Sequence, residues 1–176
     1  TFDDVAAIRT GLADGTIDAI ATDHAPHAPD TKEQPLDQAP PGMLGLETAL
    51  GVSLAHLEMP LADVIAALSW KPAAIAGVDD RHGRPIAVGE PANLTVFDPD
   101  VEWEVVPARL ASKSRNTPYV GVALRGRVVH TILAGRSVVV DGSAHGDQLV
   151  GVRQVVDVEN AVDVVDLVFE RLREER

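Results

Sequence analysis

The sequence contains no cysteine, which removes disulfide frameworks, thiolate nucleophiles and cysteine-based zinc sites, and fits a reducing, cytoplasmic setting. No apolar run approaches the roughly 20 residues that cross a bilayer, and no basic segment precedes an apolar core at the start, so neither a membrane span nor an export signal is expected. Positive charge is also scarce. Against 27 Asp and Glu there are 15 Lys and Arg, a formal charge of -12, and such a surface repels a nucleic-acid backbone rather than gripping it. What remains is enough for a buried core: 176 residues, 45% of them hydrophobic, support one ordinary domain or two small ones. The opening at Thr1 reads as the interior of a domain, so a portion of a longer protein is expected.

Residues 3–14 place Val5, Ile8 and Leu12 at helical intervals, with Asp3 or Asp4 available as N-cap. Asp14-Gly15 then turns the chain into Ile17-Asp18-Ala19-Ile20-Ala21, a short apolar run expected as a buried strand ending at Thr22-Asp23. In α/β proteins the loop after a strand's C-terminal end is where polar groups meet ligands, which draws attention to Asp23. From Ala25 to Gly42 five prolines, at 26, 29, 35, 40 and 41, exclude a long helix or a central strand and predict a stiffened loop. Leu46, Leu50, Leu54 and Leu57 restore a helical pattern over 45–57. Residues 61–68 add a second helix after Pro60, and a third short one from Lys71-Pro72 is closed by Gly77. Beyond Gly77 the pattern becomes β, with runs at 92–97, 121–124, 128–133 and 137–140. Asp98-Pro99, Arg125-Gly126 and Gly135-Arg136 separate them, and the last three runs form a meander. A boundary is expected near 78–90. In the final stretch, residues 143–176, Val162, Val165, Phe169 and Leu172 mark one face of an expected helix in an acidic tail.

Chemistry concentrates in Thr22-Asp23-His24-Ala25-Pro26-His27, one carboxylate and two imidazoles in six residues. A carboxylate here can ligate a metal or move a proton between an attacking water and a leaving group. The plain alternative is that Asp23 caps the next turn while both histidines bond to backbone. The loop by itself offers at most three zinc ligands, and His56, His82, His130 and His145 are scattered, so no complete metal site is encoded. His56 reads as a surface or boundary residue of its helix. At Pro40-Pro41-Gly42-Met43 the glycine permits close backbone approach, and the N–H groups ahead of the following helix could hold a carbonyl or carboxylate oxygen. A helix-entry turn explains the same residues equally well. Glu47 and Thr48 suit a helix first turn.

The stretch IATDHAPH, followed by Lys32-Glu33 and APPGMLGLET, resembles the C-terminal catalytic segment of dihydroorotases, members of the metal-dependent amidohydrolase superfamily. A second block in the same order, Ser112-Lys113-Ser114-Arg115-Asn116-Thr117-Pro118-Tyr119, resembles the SKSxNTP stretch of that family. The likeness covers residues 1–142. It implies an α/β fold, the C-terminal part of a (β/α)8 amidohydrolase barrel over 1–77 followed by a small β-rich domain over 78–142, with 143–176 as a tail.

It also implies a zinc-dependent, reversible cyclisation of N-carbamoyl-L-aspartate to dihydroorotate in pyrimidine synthesis. Asp23 would be metal ligand and general acid/base, and His27 would bind the substrate carboxylate or a ring carbonyl. The backbone of Pro41 and Gly42 would complete the substrate contacts, while His24 would at most orient Asp23. Dihydropyrimidinases and allantoinases share the strand-end Asp but usually lack the second His of DHAPH. The HxH pair that the family's Zn2+ site also needs is absent. The chain by itself is therefore expected to be inactive, with a sheet edge open to the missing barrel portion or to a second copy. Two other readings stay open: a noncatalytic scaffold whose acidic tail contacts a partner, and an amidohydrolase acting on another cyclic amide.

Overall fold

A computed structural model of the chain describes residues 1–144. The expected tail helix lies outside the described residues. Helices and strands are mixed along the chain: α1 (Phe2–Asp14), a single turn α2 (Pro29–Lys32), α3 (Leu46–His56), α4 (Leu61–Leu68) and α5 (Trp70–Ala76). After them come β1 (Leu94–Glu104), a 3-10 turn at Pro107–Arg109, β2 (Ala123–Leu133), β3 (Arg136–Val140) and β4 (Ser143–Ala144). The strands form one sheet in the order β1-β2-β3-β4. The chain divides into two compact units. Of the described residues, one comprises Thr1–Ala21, His56–Phe97 and 128–144; the other comprises Thr22–Ala55 and Asp98–Arg127.

In the first unit, α1 is started by Thr1 rather than by Asp3 or Asp4. The Thr1 hydroxyl accepts from the Asp4 N–H while the Asp4 carboxylate reaches back to the Thr1 amine, so the acid sits three residues inside a capping box. Gly15 ends the helix at φ 82. Of the expected apolar stripe Leu12 is buried, whereas Val5 and Ile8 are exposed. Residues 17–21 do not form the expected strand. A strand exists through its ladder, and here the Ile17 N–H goes to Gly11 O and the Ile20 N–H to Ala67 O instead. Val64, Ala67, Pro72 and Ala73 are almost fully buried, and small side chains let α4 and α5 approach closely. Gly77, at φ 67, closes α5 as its sequence position predicts.

The meander is held by two tight turns. Ala134-Gly135 (φ 48 and 80) joins β2 to β3, and Asp141-Gly142 (φ 50 and 73) joins β3 to β4. Paired positive φ values give the turn twist that matches right-twisted strands. Leu133 faces Arg136 across the first turn and Val140 faces Ser143 across the second.

Two expected breaks are not breaks. Asp98-Pro99 lies inside β1, an edge strand where a residue without an N–H is tolerated. Arg125-Gly126 lies inside β2. Gly126 continues the strand at φ 86, and a Cβ there would come within 2.5 Å of Leu54 Cδ1, so the glycine makes room for α3 rather than ending the run. Within the second unit α3 packs through small residues: Thr48, Gly51 and Ser53 are buried while its leucines are only half-buried. A Cβ on Gly51 would lie 2.9 Å from Leu124 Cβ. Val105 and Leu110 complete the buried apolar set.

Candidate active site

All four residues singled out for catalysis or binding lie in the second unit, Asp23 just ahead of the proline-rich loop and His27, Pro41 and Gly42 on it. Its two ends run side by side. His24 and Met43 form a parallel bridge, and the Ala25 N–H donates to Met43 O at 2.9 Å. Glycine makes the approach possible twice. A Cβ on Gly45 would stand 2.9 Å from Thr22 Cβ, and one on Gly42, whose φ is 107, would stand 2.5 Å from Ala25 Cβ. The close approach that Gly42 permits is made here by Ala25, from the other arm of the loop.

The two histidines do different things. His24 Nδ1 accepts from the Gly45 N–H at 3.1 Å and the Leu46 N–H at 3.4 Å. It therefore caps α3, and those two helix-entry donors are taken by a side chain instead of being left for a ligand oxygen. His27 Nε2 meets Pro41 O at 2.9 Å. A carbonyl only accepts, so Nε2 carries a proton in this contact and the neutral ring has its lone pair at Nδ1. The plain reading, imidazoles bonded to backbone, describes both contacts.

Three residues not assigned roles from the sequence complete the loop. Lys32 Nζ donates to Pro40 O at 2.8 Å and Gly42 O at 3.0 Å. Asn116 Nδ2 donates to Ala25 O at 2.8 Å and Gly42 O at 3.4 Å, while Asn116 Oδ1 accepts from the His27 N–H at 3.3 Å. The buried Ser114 hydroxyl lies against both His27 O and Asn116 Oδ1. The carbonyls of Pro40, Pro41 and Gly42 all accept from side chains of the loop or of the 112–118 block, which fixes the bend from three directions. Glu47, expected only as a dipole-favoured first-turn acid, also accepts from the Ala111 and Ser112 N–H groups at 2.9 and 3.1 Å. Charge at a helix start and a long-range backbone anchor coincide in one carboxylate.

Asp23 stands apart from this network. It is exposed, at φ 46, immediately before the His24 bridge and at the end of an irregular segment rather than of a strand. Among the described residues no group of three or more His, Cys, Asp or Glu side chains could hold a metal ion. The donors among the described residues therefore do not fit a complete metal centre. His56 is exposed at the end of α3, and His130 lies 3.9 Å from Asp141 in the meander.

The sequence profile of the amidohydrolase family matches residues 3–138. This chain belongs to the amidohydrolase family. Among its amidohydrolase relatives, the dihydroorotase of Mycobacterium leprae is 51% identical over 137 residues, covering 76% of this chain and 32% of that protein. The dihydroorotase of Streptomyces coelicolor is 50% identical over 143 residues, 79% of this chain and 33% of that protein. The solved D-hydantoinase (dihydropyrimidinase) from Thermus sp. superposes with a TM-score of 0.71 at 25% identity, over 79% of this chain and 32% of that one. The L-hydantoinase (dihydropyrimidinase) from Arthrobacter aurescens gives 0.67 at 26% identity, over 78% of this chain and 32% of that one. The chain thus spans about a third of the length of the amidohydrolases it matches. No helix among its described residues is long and apolar enough to cross a membrane.

Proposed function

We propose that this chain supplies the substrate-binding loop and the proton-transferring carboxylate of a cytoplasmic dihydroorotase, which interconverts N-carbamoyl-L-aspartate and dihydroorotate in pyrimidine synthesis. The observation that carries the reading is the closure of His27 on the Pro41-Gly42 bend, in a chain about half identical to dihydroorotases. In this reading residues 1–77 are the last part of a (β/α)8 barrel and 78–142 a small β-rich domain. Residues 17–22 gain strand character only beside the rest of that barrel.

His27, held through Nε2, takes up a proton at Nδ1 as the anionic substrate arrives, so that both ring nitrogens donate and the Nδ1–H meets the substrate carboxylate. Pro40 and Pro41 have no N–H, so Gly42 carries the first backbone donor of the bend for a second substrate oxygen. Asp23 accepts a proton from the attacking water as the new C–O bond forms at the ring amide carbonyl. It returns that proton to the ring nitrogen as the C–N bond breaks, which opens the ring. A Zn2+ ion, when bound in the complete enzyme, supplies Lewis-acid activation of that water. Asp23 would be one of its ligands, the others coming from outside this chain.

The test is to assay the purified chain with Zn2+ and dihydroorotate, alone and with a polypeptide carrying the remaining barrel. Turnover is expected only in the mixture. Metal-dependent ring opening by the chain alone would refute the division of the site. The hydantoinase superpositions favour a second reading, a cyclic amidohydrolase whose substrate lacks the carboxylate. Faster opening of dihydrouracil than of dihydroorotate by the mixture would select it.

A further inference from the structure

The residue that binds the loop together is not on it. The Asn116 amide uses both donors and its acceptor oxygen on three targets: Ala25 O on one arm (2.8 Å), Gly42 O on the other (3.4 Å) and the His27 N–H (3.3 Å). Its own carbonyl accepts from the Leu44 N–H at 3.2 Å. The His27 N–H, which only donates, marks the oxygen end of the amide, and the Ser114 hydroxyl lies 2.6 Å from that oxygen. Only glutamine carries the same donors and acceptor, and its extra methylene sets them further from the backbone. An aspartate would keep the acceptor but lack both donors and would set a negative charge against two carbonyls, and a serine has one proton to give.

We propose that Asn116 is a positioning residue for ring opening, fixing the separation of His27 from the Gly42 bend so that both meet one substrate at once; the proposal rests on the dihydroorotase reading. It acts through the loop backbone and does not touch the substrate. A displacement of about 1 Å between two such groups is enough to cost on the order of a hundredfold in rate.

Asn116→Asp, Asn116→Ala and the milder Ser114→Ala are compared in the complete enzyme and in this chain. In the complete enzyme, KM for dihydroorotate rises about tenfold or more in the Asn116 variants, with a smaller change in kcat, because substrate binding geometry is what is lost. In a His27→Ala background the same substitutions add little, since the group being positioned is gone. In the chain alone, Asn116→Ala, which removes the acceptor of the His27 N–H, accelerates amide exchange at Ala25 and His27 while Ile20, bonded to Ala67 O, keeps its protection. Ser114→Ala shifts both readouts in the same direction by less, and it decides the matter if an Asn116 variant fails to fold. Unchanged exchange at His27, or effects that add fully to those of His27→Ala, overturns the proposal. If the intact wild type opens no dihydroorotate ring, the functional reading fails instead, and the exchange comparison alone decides whether Asn116 sets the loop.

Discussion

The His27 imidazole and the Pro41 carbonyl, 14 residues apart in sequence, meet at 2.9 Å. The contact sets where the ring proton sits and closes the loop near its base, with Pro40 and Pro41 limiting how far the bend can relax. Because Gly42 immediately follows, the histidine and the one residue able to follow it closely are brought together by the same few atoms. A ring held in this way loses little further freedom when it meets a ligand, which is how a loop, ordinarily the most mobile kind of segment, becomes a usable binding element.

Gly42→Ala should therefore cost more than Gly15→Ala, although both glycines have positive φ. At Gly15, φ 82, nothing lies within 4 Å of an added Cβ, whereas at Gly42 the Ala25 Cβ lies 2.5 Å away. Backbone strain alone is about 1–3 kcal/mol, and only Gly42→Ala adds a clash that pushes the loop arms apart. Denaturant titration of the two variants checks this. Equal losses would mean that the arms give way freely.

Lys32→Met keeps the aliphatic stem and removes the ammonium that reaches Pro40 O and Gly42 O. The lysine is half-buried, so solvent replaces part of what is lost, and a destabilisation of about 1–2 kcal/mol is expected. The Ala25 amide should exchange faster in this variant. Protection equal to the wild type would show that the bend holds without its cation.

Arg84 and Glu90 make a two-pronged pair, both N···O distances being 2.6 Å. The hydrogen bond from Arg84 holds the Glu90 carboxyl below its ordinary value of 4.5. A depressed carboxyl contributes stability above its unfolded-state value, and that contribution is lost as the pH falls through the folded value. Glu90→Gln should thus be less stable than the wild type at pH 7 and indistinguishable from it once the pH lies well below 4.5. Thermal midpoints at several pH values measure the difference. A gap independent of pH would assign the effect to packing.

Much of this was legible from residue order. Helices α3, α4 and α5 and the meander follow from apolar spacing and from glycines at turns, which are local signals. The failures were non-local. Residues 17–21 carry a strand's composition, yet pairing is decided by a neighbour far along the chain, and the Ile17 and Ile20 donors go elsewhere. Gly126 looked like a stop because its partner, Leu54, lies on α3 and not nearby in sequence. At the site, the cluster at Asp23 to His27 and the bend at Pro40 to Met43 stood out by residue type, while the roles proposed for His27, Pro41 and Gly42 come from the resemblance to dihydroorotases. Asn116 and Lys32 were quoted only as parts of recognisable blocks, because a neutral amide and a lysine carry no local mark of the carbonyls they will meet. A block of small polar residues such as Ser112-Lys113-Ser114-Arg115-Asn116, rich in donors but placed in no helix or strand, was the available hint.

The most direct measurement is the preference of the complete enzyme for dihydroorotate over dihydrouracil, as a ratio of kcat/KM values, before and after His27→Ala. The two substrates differ by the carboxylate assigned to His27. A hydrogen bond to a charged group contributes about 1.5–3 kcal/mol, so the ratio should fall roughly 10- to 100-fold, almost entirely through the poorer use of dihydroorotate. Equal losses on both substrates, or an unchanged ratio, would contradict the account.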